Sequence, residues 1–180
     1  MKNDRKENLN LKMLCIDGGL LAVLLFLDQF TKYLTILKLK GQPAFVLIEG
    51  VLELQYLENR GSAFGMLQGQ KILILAVDAV FMAVILFFML RLPNEKKYGK
   101  LHLLLTMVMA GGVGNMIDRI RFDYVVDFIS FVLIHYPIFN VADVYIVVAV
   151  IVLFILFVFV MKEEDLEFLD LGKRQDQETK

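Results

Sequence analysis

The chain has 180 residues, 58% of them hydrophobic, and a formal net charge of −1. That balance argues against a basic nucleic-acid surface, and one cysteine, Cys15, leaves no partner for an internal disulfide. The two histidines, His102 and His135, stand far apart with no HExxH pattern or cysteine cluster, so no metal site is expected.

Residues 1–12 are polar and read as a cytoplasmic tail. The apolar run from Met13 to about Leu34 is too long for a signal-peptide core, holds Asp17 and Asp28, and lacks a small-x-small cleavage site. It reads as a first membrane span, since about 20 apolar residues cross about 30 Å of hydrocarbon. Asp17 is expected near the inner head-groups. Asp28 and Lys32 are four apart and share a helix face near the outer end. They form either a structural ion pair with Lys32 snorkelling, or a contact for substrate or lipid head-groups.

Residues 41–70 differ in kind. PAFVLIEG and VLELQYLEN alternate apolar and polar positions and are rich in β-branched and aromatic residues, with Gly50 between them as a turn. A small sheet lying on the membrane surface is expected, followed by the glycine-flanked loop Asn59-Arg60-Gly61-Ser62-Ala63-Phe64-Gly65. By itself such a loop signals a turn.

A second span covers about 71–90 and contains Asp78, for which the sequence names no partner. A third covers about 101–117, where Gly111, Gly112 and Gly114 suit close helix packing. Asn115, Asp118 and Arg119 stand at i, i+3 and i+4 and are expected to project from one side of its end. Residues 120–139 form a second outer connection, in which Pro137 breaks any helix. The fourth span, about 141–161, opens with Asn140 as N-cap, Asp143 at N3, and Phe139 and Val144 as staple residues. A charged tail, 162–180, ends the chain.

Of the 19 Lys and Arg residues, 12 lie in the two tails and the 91–100 connection, and seven on the other side or its span ends. The bias places both termini in the cytoplasm and the sheet, Asp127 and Asp143 outside. The expectation is a mainly α integral membrane protein: four transmembrane helices with a small extracytoplasmic β-sheet, residues 1–161 forming one membrane-embedded domain.

Chemistry is confined to few side chains. The serines are Ser62 and Ser130, neither within GxSxG, and no spacing favours a Ser62–Lys71 pair. Carboxylates fit better, because an acid kept in an apolar setting is costly unless paired or neutralised. Two aspartates brought together cannot both ionise easily, so their pKa values separate. Such a pair suits amide hydrolysis, with Asp143 as base at a helix N-terminus and Asp127 as acid. Capping alone would also explain Asp143. Other readings are a small transporter or proton channel relaying ions through embedded aspartates, or a scaffold in which the acids serve packing.

DQFTK (28–32), NRGSAFG (59–65), GGVGNMIDR (111–119), VVDFI (125–129) and FNVAD (139–143) resemble, in order and spacing, the motifs of bacterial lipoprotein signal peptidase, signal peptidase II. The resemblance implies a four-span aspartic endopeptidase of the bacterial cytoplasmic membrane. It would cut signal peptides from prolipoproteins before a cysteine carrying diacylglycerol, with membrane lipid around it and no cofactor. On the matching positions it implies Asp127 and Asp143 as the catalytic pair. Asp28, Lys32, Asn59, Gly61, Ala63, Asn115, Asp118, Arg119 and Asn140 would be supporting residues, with a buried Asp118–Arg119 pair that either braces the site or touches substrate.

Overall fold

A computed structural model describes residues 2–62, 66–93, 95–134, 136–162 and 165, the first 11 of these by backbone alone. Four helices carry the chain: α1 (Lys2–Leu39), α2 (Lys71–Arg91), α3 (Gly99–Phe122) and α4 (Val141–Ile155), the last running on as one π-helical turn, Leu156–Val160. Each contains a stretch long and apolar enough to cross a membrane. The candidate span within α1 begins at Met13, as expected, but the helix itself begins at Lys2. The expected polar tail holds no glycine or proline and is rich in helix formers, so nothing stops the helix there.

Helix α3 lies in the middle of the bundle. It buries eleven residues, from Leu101 to Asp118, whereas α2 buries only Ile74. The outer helices turn large apolar side chains outward, Phe26, Ile72, Val80 and Phe154 among them. Exposed apolar side chains along helices of this length and composition are what a protein presents to lipid.

Glycines set how near α3 approaches its neighbours. A Cβ on Gly111 would stand 2.5 Å from the Ala142 carbonyl oxygen, and one on Gly114 2.5 Å from Asp28 Oδ2. The first obstacle is backbone at the start of α4 and cannot swing aside. Gly111→Ala is therefore expected to lower the thermal midpoint in detergent, at an overpacking cost of about 1–3 kcal/mol. Gly99→Ala, with nothing within 4 Å, leaves the midpoint within about 1 °C and serves as the control.

At one end of the bundle sits an antiparallel sheet ordered β1 (Phe45–Ile48), β2 (Leu52–Asn59), β3 (Val125–Phe131). Gly50, at φ 69°, makes the β1–β2 turn. Strand β3 arises inside the 120–139 connection, which the sequence had offered only as a linker. Its first four residues are buried, so it forms the inner wall of the sheet against the helices. Among the described residues these are the only strands.

Candidate active site

Strand pairing brings the first polar groups together. Asn59 lies opposite Val125 and Leu57 opposite Asp127, so Asn59 and Asp127 are diagonal neighbours on one face. The Asn59 amide donates to Asp127 Oδ2 at 2.9 Å. After β3 the chain folds back, and Phe139 exchanges hydrogen bonds with Ile129 at 3.1 and 2.8 Å. That tie sets the next residue, Asn140, beside Asp127, and its amide donates to Asp127 Oδ1 at 2.7 Å.

Asn140 also starts α4. Its side-chain oxygen accepts the Asp143 N–H at 3.1 Å, and Asp143 Oδ2 accepts the Asn140 N–H at 3.0 Å. This reciprocal capping box is local chemistry legible in the sequence. It leaves Asp143 Oδ1 free to accept from the Asn115 amide of α3 at 2.9 Å. Asp143 thus caps the helix and also faces the site, so the two readings of this residue are not exclusive.

The amides cannot turn round. Lys32 has only donors, and its Nζ lies 2.8 Å from Asn115 Oδ1, so the Asn115 NH2 must face Asp143. Asn140 Oδ1 is taken by a backbone N–H, and Asn59 Oδ1 accepts the Gly61 N–H at 3.0 Å, so both remaining NH2 groups face Asp127. Amide donors are thereby held against both carboxyls.

Beneath them lies a buried ionic group. Lys32 Nζ stands 3.1 Å from Asp28 and 3.0 Å from Asp118, all three side chains no more than 3% exposed. Asp28 accepts the Ala142 N–H in the first turn of α4, and Asp118 accepts the Val126 N–H of β3. The same three residues therefore fix the two elements that carry Asp143 and Asp127. The structural Asp28–Lys32 ion pair forms, but Lys32 neither snorkels nor meets head-groups, because its side chain is buried inside the protein. Gln29, not singled out in the sequence, lies within 3.0–3.2 Å of Asp118, Asp28 and the Gly114 carbonyl. The sequence signal was its place beside Asp28 in DQFTK.

The expected Asp118–Arg119 pair does not form. Successive helix residues point about 100° apart, so Asp118 faces α1 while Arg119 faces α2 and the loop after β2. Arg119 pairs with Asp78 at 3.3 Å and donates to the Gly61 carbonyl at 3.1 Å. Asn115, Asp118 and Arg119 consequently do not share one side. Ala63 lies outside the described residues, as do His135 and most of the tail 162–180. Ser62 and Lys71 are not paired: Ser62 donates to the Met66 carbonyl, and Lys71 pairs with Asp123. Asp17, expected near the inner head-groups, is buried against His102 Nδ1 at 2.7 Å. Among the described residues no cluster of His, Cys, Asp and Glu could hold a metal ion.

Burial pushes the Asp127 carboxyl up to about 7, helped by the negative charge of Asp143 and opposed by the Asn59 and Asn140 amides. Asp127 is 1% exposed, whereas Asp143 is half-buried. Asp143 opens onto an apolar groove of about 280 Å³ between Phe131, Tyr136 and Phe139 on one wall and Val144, Val147 and Val148 of α4 on the other. The arrangement offers a protonatable acid, a second carboxyl at a helix N-terminus, and an apolar approach to the second.

Residues 20–159 match the family model described as signal peptidase (SPase) II. The chain is similar to the lipoprotein signal peptidase of Caldanaerobacter subterraneus subsp. tengcongensis, 42% identical over 141 residues, 78% of this chain and 94% of the relative. That of Brevibacillus brevis is 43% identical over 129 residues, 72% of this chain and 85% of the relative. A bacterial membrane enzyme solved by the in meso method at 2.3 Å resolution superposes with a TM-score of 0.71 at 25% identity, covering 82% of this chain and 92% of that one. A second, at 1.9 Å, gives 0.68 at 26% identity, with 81% and 94% covered.

Proposed function

Because this chain belongs to the signal peptidase II family, it is a membrane protease that removes signal peptides from prolipoproteins, and we propose that Asp127 and Asp143 perform the hydrolysis. The observation that carries the assignment is the pairing of a deeply buried Asp127, whose carboxyl burial pushes up to about 7, with a more accessible Asp143 at a helix N-terminus.

Asp143, favoured as an anion by the helix dipole, takes a proton from water as the oxygen attacks the carbonyl carbon. Asp127 protonates the carbonyl oxygen, giving a neutral gem-diol. On collapse a diol proton returns to Asp127, the C–N bond breaks, and the proton on Asp143 passes to the departing amine. Asn59, Asn115 and Asn140 hold the carboxyl oxygens throughout. The remaining polar residues, Asp28, Lys32, Asp118 and Arg119, act as supports; membership of this family does not favour an ion-relay role.

The substrate is a prolipoprotein whose cysteine carries diacylglycerol, cut just before that cysteine. The apolar groove beside Asp143 supports this reading, since it suits a substrate whose acyl chains arrive from the bilayer. The Lys and Arg bias supports cytoplasmic termini and a dyad at the outer face of the cytoplasmic membrane. No metal or organic cofactor enters the mechanism.

The test compares purified protein acting on diacylglyceryl-modified and unmodified forms of one precursor, with products identified by mass. Four methylenes seated in the groove, at about 0.8 kcal/mol each, already amount to about 200-fold in kcat/KM. A preference of that size for the modified precursor, with cleavage before the lipidated residue, is expected. Equal turnover of the two forms would contradict the substrate assignment.

A further inference from the structure

Helix α2 is apolar almost throughout, yet it carries Asp78 two turns from its start. A carboxylate there is costly without a partner, and its partner is Arg119 of α3, Nη1 to Oδ2 at 3.3 Å. The second guanidinium nitrogen, Nη2, donates to the Gly61 carbonyl at 3.1 Å. Because the guanidinium is a rigid planar fork, the carboxylate on one prong sets the angle of the other. Gly61 in turn donates its own N–H to Asn59 Oδ1, and the Asn59 amide donates to Asp127.

We propose that Asp78 is a positioning residue for hydrolysis: through Arg119 and the backbone of Gly61 it fixes the Asn59 amide that holds Asp127. The chain of contacts runs from α2, whose other side chains are almost all apolar, to one oxygen of the buried acid. The inference rests on Asp127 being catalytic, as argued above.

The experiment is a double-mutant cycle on the intact protein in detergent or lipid, with kcat, KM and the pH profile measured for wild type, Asp78→Asn, Asn59→Ala and the double variant, and Asp127→Asn as reference. Asp78→Asn is expected to lower kcat about three- to thirtyfold with KM changed less than about twofold. It is also expected to move the alkaline limb of activity to higher pH, because a loosened Asn59 donor stabilises ionised Asp127 less. In the Asn59→Ala background Asp78→Asn should cost nothing further. A bracing role without positioning would lower the thermal midpoint and leave the limb where it was.

If Asp78→Asn does not accumulate, Asp78→Glu, which keeps the charge on an arm one methylene longer, carries the same cycle. An unchanged kcat and limb for the Asp78 variant, or a full additional loss in the Asn59→Ala background, beside an inactive Asp127→Asn protein, overturns this inference alone. An active Asp127→Asn protein overturns the dyad, and this inference with it.

Discussion

Asp127→Asn and Asp143→Asn are each expected to lower kcat for prolipoprotein cleavage by at least about 10³-fold while the protein still folds and inserts. Both changes keep the side-chain outline and remove the capacity to carry a proton through the cycle. In the Asp143→Asn protein the amide oxygen can still accept the Asn140 N–H, so the cap of α4 survives. At position 127 the change also removes a folding penalty. The folded carboxyl titrates near 7 against 3.8 in an ordinary setting, so the folded protein binds the extra proton between those values. Wild-type stability therefore falls as pH rises from about 4 to about 7 and stays low above that. The Asp127→Asn protein suffers no such loss. Its thermal midpoint should fall less than that of wild type between pH 5 and pH 8, by about 2–4 °C for each kcal/mol of penalty removed. An inactive variant that has lost this pH dependence distinguishes a strained functional acid from a structural one.

Lys32→Met is expected to be the most damaging single change to the fold. It removes the only cation within 4 Å of Asp28 and Asp118 among the described residues and leaves two carboxylates buried together. Breaking a buried pair in this way costs about 3–5 kcal/mol, a large share of the 5–15 kcal/mol typical of a folded domain. The loss reads out as a lower thermal midpoint and reduced yield in detergent. The double variant Asp28→Asn/Lys32→Met, with one fewer unpaired charge, should be less damaged than Lys32→Met alone. What folds should still be slow. Without the ammonium the Asn115 amide can rotate and present its carbonyl to Asp143, exchanging attraction for repulsion. Equal stability of Lys32→Met and wild type would mean that the carboxylates are not held by Lys32.

The four helices were legible because membrane spans are written in composition: long apolar runs broken by polar connections. The Asn140–Asp143 box was legible because capping chemistry is complete within four residues. Strand β3 was not, since its pairing with β2 joins segments nearly 70 residues apart, and nothing local in YVVDFISF names Asn59 as a neighbour. The same limit explains the ion pairs. Asp28 and Lys32 could be joined by spacing, but that Lys32 also reaches Asp118 and Asn115 of α3 depends on the close helix approach that Gly111 and Gly114 permit. Asp118 and Arg119, adjacent in sequence, went to different partners because a helix turns its neighbours apart. Asp78 found its counter-charge 41 residues away. Spacing identified the side chains that matter, while their partners were set by helix packing and strand register.

Hydrolysis by this pair requires Asp127 to hold a proton at neutral pH beside Asp143, and that proton can be observed. The infrared band of a protonated carboxyl, followed through a pH titration alongside kcat, is the direct measurement. The band is expected to disappear with a midpoint near 7, together with the alkaline limb of activity, and to be missing from the Asp127→Asn protein. A band that titrates in the ordinary carboxylate range, or one that persists at neutral pH in Asp127→Asn, would contradict it.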